Sequence, residues 1–163
     1  MILFLCKIRC SWNFLQLNKL IGGVMKFETR SYAHAVGEFN YHIQLTVAYR
    51  RQIFAKEKVL KLTEAYLREK LNEINVELVC LEFGPEHVHL FVTNCKNYAP
   101  CQIVQFLKGF SSRMMRKNHF ELFRNFLWGS KFWSGGYFAR SIGCVTTERV
   151  RYYIEESQGK HWD

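Results

Sequence analysis

His87 and His89 flank Val88 in the run HVHLFVT, and in an extended chain, where successive side chains alternate, both imidazoles project from one face a few ångströms apart. Two neutral imidazoles so placed can share one divalent ion. Val88, Leu90 and Val92 point the other way and set the register, which directs the histidines to the open face of a sheet. Tyr153, within VRYYIEESQGKHW, could supply a nucleophile. A phenol of pKa about 10 attacks poorly at neutral pH unless its proton is withdrawn or its target polarised. A cation held by His87 and His89 could polarise a phosphate for that attack. Gln158 offers a carbonyl oxygen as third ligand, a donor type that suits Mg²⁺ or Mn²⁺, and three protein ligands leave positions open for phosphate oxygens. Each signal is weak alone: an isolated His-x-His on a strand is commonly a surface pair, a helical tyrosine commonly packs, and a glutamine at a helix end is commonly only solvated.

The elements that must position these groups follow from periodicity. His42 to Tyr49 (HIQLTVAY) alternates, with Ile43, Leu45 and Val47 on one side, and reads as a first strand. Lys56 to Ile74 repeats Leu60, Leu67, Leu71 and Ile74 at helical spacing. Val76 to Phe83 and His87 to Thr93 read as two strands joined through Gly84 and Pro85 as a hairpin. Pro100 opens a second helix to about Lys117, with Ile103, Phe106, Leu107 and Phe110 on one face and Lys108, Arg113, Arg116 and Lys117 elsewhere. An aromatic loop (Trp128, Phe132, Trp133, Gly135, Gly136) leads to a strand from Tyr137 to Ile142, and Thr147 caps a last helix from about Glu148 to Ser157. This order predicts an α+β, ferredoxin-like βαββαβ antiparallel sheet with helices on one face, plus a C-terminal helix carrying the tyrosine.

A length of 163 residues and a formal charge of +9 fit one basic domain whose partner is polyanionic, nucleic acid first. Arg50, Arg51, Lys108, Arg113, Arg116 and Lys117 are candidate phosphate contacts, and Trp133 and Tyr137 candidate faces for unpaired bases. The six cysteines lack CxxC spacing, so they read as reduced, mostly buried thiols of a cytoplasmic protein, not as a zinc or disulfide framework. Residues 1–24 carry three basic residues, no acid, and an apolar stretch too short to span a membrane. We expect Met25 to be the natural start, with 1–24 an upstream extension and 25–163 the single domain. No nucleotide cofactor is expected.

Taken together, AYRRQIF, GPEHVHLFV, IVQFLKGFSSRMMRK, FWSGGYFARSIGCVT and VRYYIEESQ make the chain similar, from Asn40 to Gln158, to the single-tyrosine HUH transposases of the insertion sequence 200/605 type, where HUH denotes histidine, hydrophobic, histidine. The resemblance implies a homodimer that binds single-stranded DNA hairpins at the ends of a mobile element. It implies cleavage and rejoining through a 5′-phosphotyrosine, with His87 and His89 as the metal pair and Tyr153, directly before Ile154, as nucleophile. The family commonly has its metal-binding glutamine four residues after the tyrosine; here Ser157 takes that place and Gln158 comes fifth. The third donor is therefore Gln158, Glu156 or a water. Three rival readings are a domesticated repeat-processing HUH nuclease, a ferredoxin-like RNA-binding module with incidental histidines, and a metal hydrolase that uses activated water with Tyr153 a bystander.

Overall fold

Ile43, Leu45 and Val47 alternate with His42, Gln44 and Thr46, as Val88, Leu90 and Val92 do with His87, His89 and Phe91. Side-by-side pairing of the two runs gathers six aliphatic side chains on one surface that something must cover. In the computed structural model, which describes residues 30–142 except 128, two helices cover it. The strands are β1 (Arg30–Tyr32), β2 (Ala35–Gly37), β3 (Tyr41–Val47), β4 (Glu77–Phe83), β5 (His87–Thr93) and β6 (Trp133–Ser141); the helices are α1 (Glu57–Glu73) and α2 (Pro100–His119). Four strands form an antiparallel sheet in the order β4-β5-β3-β6, with β1 and β2 a separate hairpin. With α1 between β3 and β4 and α2 between β5 and β6, this is the expected ferredoxin-like α+β arrangement.

The helices lie on the aliphatic face. Val59, Thr63, Leu67 and Leu71 of α1 and Ile103, Val104, Leu107, Ser111 and Met115 of α2 are buried, at the i, i+3, i+4 spacing that makes one apolar stripe. They share a cluster with Ile43, Leu45, Val47, Val88, Leu90 and Val92. Pro100 begins α2 because its missing N–H costs nothing in a first turn, and the Gln102 side chain accepts the Ala99 N–H at 2.9 Å. Phe106, expected on the core face, is instead 37% exposed, because the buried stripe runs through Val104 and Ser111.

Two local expectations are corrected. The β1–β2 hairpin has no counterpart in the periodicity reading: two three-residue strands are too short to show a period. The last strand starts at Trp133, not Tyr137, so Trp133, Gly135 and Gly136 belong to β6 and not to a loop. Residues 1–24 and the expected helix from Glu148 lie outside the described residues. No helix among the described residues is long and apolar enough to cross a membrane.

The cysteines divide by environment. Cys95 is buried, and burial, with Glu77's charge second, pushes its thiol up to about 12; Cys101 is exposed at the start of α2. Since the thiolate is the reactive form, iodoacetamide at pH 8 should alkylate Cys101 in the folded protein and spare Cys95, as read by peptide mass mapping. Equal labelling would contradict this packing.

Candidate active site

Strand β5 places His87 and His89 side by side, ring centroids 4.9 Å apart and planes nearly perpendicular at 85°. Its backbone is held on both sides, Thr46 and Gln44 of β3 lying opposite His87 and His89, and Glu82 of β4 opposite His89. The turn that feeds the strand is pinned as well. Gly84 N–H donates to His87 O at 2.9 Å, Val47 N–H to Glu86 O at 2.8 Å and Phe54 N–H to Pro85 O at 3.1 Å. The His87 ring lies over Gly84, where an added Cβ would stand 2.3 Å from Cε1, so only glycine permits this ring position. Glu86 brings a carboxylate oxygen to 3.4 Å from His87 Nδ1, and Arg50 reaches the same oxygen at 3.8 Å.

The pair is on the face opposite the helices, as the register demands, but that face is not open at this point. His87 and His89 are only 4% and 2% exposed. Ring packing contributes: His42 of β3 stacks on His89 at 5.1 Å between centroids, and Phe138 of β6 meets His42 edge-on at 5.8 Å. His42 Nε2 and His89 Nδ1 share a hydrogen bond of 2.9 Å. Burial, and after it the charge of Arg140, push the His42 imidazole down from the usual histidine value, which favours the neutral ring.

His42 is the residue the sequence reading missed, although its alternation with Ile43 already placed it on the histidine face. Arg140 and Phe138 were missed too; they stand opposite His42 and Gln44 on that face. Tyr137, expected to meet bases, pairs with Leu45 and so belongs to the helix side of β6, where the Lys108 ammonium lies 5.8 Å from its ring centre. Phe138, 46% exposed, is the aromatic that β6 presents on the histidine face.

The other predicted DNA contacts separate into two kinds. Arg50 and Arg51 are exposed at the end of β3, close to the hairpin before His87. Tyr49 and Arg50 both have left-handed backbone, φ 58° and 52°, a conformation that costs a residue with a Cβ about 1–2 kcal/mol; the corner is held against the hairpin by the Val47 and Phe54 bonds just described. Arg113 and Lys117 are exposed on α2, on the helical layer and away from the histidines. Lys108 and Arg116 do structural work. The Lys108 ammonium donates to the carbonyls of Ser134 (2.8 Å), Gly135 (3.3 Å) and Gly136 (2.6 Å), and its partial burial lowers its pKa. Arg116 donates to the Lys131 carbonyl and lies over Phe120 and Phe123.

Trp133 is likewise corrected from base contact to core. It is 5% exposed, packs on Phe54 and Phe132, and donates its Nε1–H to Ser111 Oγ at 2.9 Å. Trp133→Ala should therefore cost about 3–5 kcal/mol of stability, measured by urea unfolding. Trp133→Phe keeps most of the apolar burial and should cost about 1 kcal/mol for the lost bond. A Trp133→Ala protein as stable as wild type would place this ring outside the core.

Tyr153 and Gln158 lie outside the described residues. Among the described residues no group of three His, Cys, Asp or Glu side chains is arranged to hold a metal ion. The family model for IS200-like transposases matches residues 35–157. The chain belongs to the IS200-like transposase family. As a transposase it is of a DNA-cleaving class. It is 28% identical over 137 residues to the ISDra2 transposase TnpA of Deinococcus radiodurans, covering 84% of this chain and 96% of that protein. It is also 28% identical to the transposase for insertion sequence element IS200 of Salmonella typhimurium, over 78% of this chain and 82% of the relative. Among solved structures, a crystal structure of a Deinococcus radiodurans R1 transposase aligns with TM-score 0.62 and 28% identity, covering 78% of this chain and 96% of that one. A tyrosine transposase bound to a REP hairpin aligns at TM-score 0.51 and 12% identity over 82% and 74%, a likeness of fold alone.

Proposed function

We propose that this IS200-like transposase binds single-stranded hairpin ends of an insertion sequence, and cuts and rejoins them through a covalent bond between Tyr153 and a 5′ phosphate. The observation that carries the reading is the placement of His87 and His89 on one face of an inner strand, in a chain whose match to the family extends through Tyr153.

The donor set fits a divalent cation. Two imidazoles of one strand stand 4.9 Å apart at their centroids, and the hydrogen bond between His89 Nδ1 and His42 Nε2 occupies Nδ1, so Nε2 is the nitrogen a metal would take. His87 and His89 would hold Mg²⁺ or Mn²⁺, with Gln158, Glu156 or a water as further oxygen donor. The bound cation would neutralise charge on the scissile phosphate. In the reaction the Tyr153 phenol oxygen attacks phosphorus, the P–O bond to the 3′ oxygen breaks, and the proton lost by the phenol ends on that departing oxygen, which leaves as a 3′ hydroxyl. One phosphodiester replaces another, so a different 3′ hydroxyl can reverse the step and seal new ends without a nucleotide cofactor. Arg50, Arg51 and Arg140 are positioned to meet phosphates near the histidines, and Phe138 to stack an unpaired base. Arg113 and Lys117, on the helical layer, suit the duplex part of a hairpin.

Dimerisation belongs to the same reading, since two ends must be held at once. Strand β6 is nine residues long and, among the described residues, pairs on one edge only, a surface that a second copy can extend.

The test is incubation of the full chain with single strands from the element's ends, with and without Mn²⁺, followed by a denaturing gel. A protein–DNA band that requires Mn²⁺ is expected. Free 5′ phosphate without such a band would indicate attack by water, and no cleavage alongside tight RNA binding would favour the RNA-binding alternative.

A further inference from the structure

We infer that His42 is a positioning residue that holds His89 in the tautomer and orientation able to bind a cation. The inference rests on the reading of His87 and His89 as a metal pair and goes one shell beyond it. His42 Nε2 and His89 Nδ1 are 2.9 Å apart, and a single proton lies between two ring nitrogens that cannot both donate. If His42 donates, the lone pair of neutral His89 faces His42 and its Nε2 carries the proton, so that nitrogen cannot ligate. When His89 donates from Nδ1, its lone pair stands on Nε2. A cation at Nε2 therefore requires His42 to accept, and an acceptor on the far nitrogen both fixes the ring and raises its basicity.

The surroundings suit a rigid acceptor. His42 is carried by β3, an inner strand bonded to β5 on one side and β6 on the other. Its ring is clamped between His89, stacked within 25° of parallel, and the edge of Phe138. If packing alone were wanted here, a phenylalanine or leucine would fill the space; neither could accept the His89 proton.

The test compares Mn²⁺ binding by the full chain, followed by electron paramagnetic resonance, for wild type, His42→Gln, His42→Phe and His89→Ala. Metal affinity should fall about 10–100-fold in His42→Phe. In His42→Gln, whose amide oxygen can accept the same proton, it should stay within a few-fold of wild type. Thermal melting by circular dichroism reports whether each variant folds. In Mg²⁺-loaded wild type, nitrogen-15 resonances should show His89 protonated at Nδ1 and not at Nε2, a readout that needs no variant. Wild-type affinity in folded His42→Phe, or a proton on Nε2 of His89, overturns the assignment even where His89→Ala has lost the metal. Undiminished binding in His89→Ala would instead remove the metal reading beneath it.

Discussion

Tyr153→Phe should eliminate the denaturation-resistant protein–DNA species while leaving affinity for hairpin single strands within a few-fold of wild type. The substitution deletes one oxygen and keeps the ring, so packing that the aromatic face provides survives. The oxygen we assign to the attack is gone. Loss of a nucleophile in a covalent mechanism typically removes on the order of 10⁴-fold or more of the rate, so the gel should show no adduct at any Mn²⁺ concentration. Tyr152 is the internal control: Tyr152→Phe should retain the band. Adducts that persist in Tyr153→Phe and vanish in Tyr152→Phe would move the nucleophile by one residue. Persistence in both would end the tyrosine mechanism.

The second large effect is expected from His87→Ala and His89→Ala. Each removes one of two imidazoles from a site to which the described residues bring no third His, Cys, Asp or Glu in metal-binding geometry. Charge stabilisation by a bound cation is worth several kcal/mol, and at about 1.4 kcal/mol per decade its loss corresponds to cleavage slowed on the order of 10³-fold. The defect should differ in kind from that of Tyr153→Phe. Because affinity is what fails, millimolar Mn²⁺ should restore part of the activity to a single-histidine variant and none to the phenylalanine variant. Hairpin binding, which we assign to Arg113 and Lys117 on the helical layer, should be preserved in both. Full cleavage by the double variant His87→Ala, His89→Ala would exclude the pair from the chemistry.

Much of the fold could be read directly from spacing. The strand His87–Thr93 has the bounds that alternation predicts, and both long helices agree within two residues at each end, because an uninterrupted period marks the side chains that each element turns to the shared core. What spacing could not supply was depth and face at the sheet edge. Trp133 and Tyr137 look alike as aromatics beside glycines, and both pair with core-facing residues of β3, Val47 and Leu45, yet the first is 5% and the second 45% exposed, a difference of depth that no period records. Lys108 looked like a phosphate contact because it is charged. Only the folded chain reveals that three backbone carbonyls surround its ammonium. His42 was legible as to face but not as to role, which depends on a residue 47 positions away. Tyr153 and Gln158 lie outside the described residues, and their roles rest on side-chain chemistry and on the family.

Both histidine-bearing runs, 41–47 and 87–93, are interior ribbons of the sheet, flanked left and right by other strands. Amides in such places exchange with solvent chiefly when the whole domain opens, whereas those of β4, a rim strand among the described residues, escape through local fraying. Loss of the paired arrangement of His87 and His89 and loss of the native state should accordingly coincide in one cooperative melt. Heat or denaturant should leave no population that has kept its tertiary structure yet surrendered its imidazole pair, and residual turnover in a weakened variant should track the folded fraction.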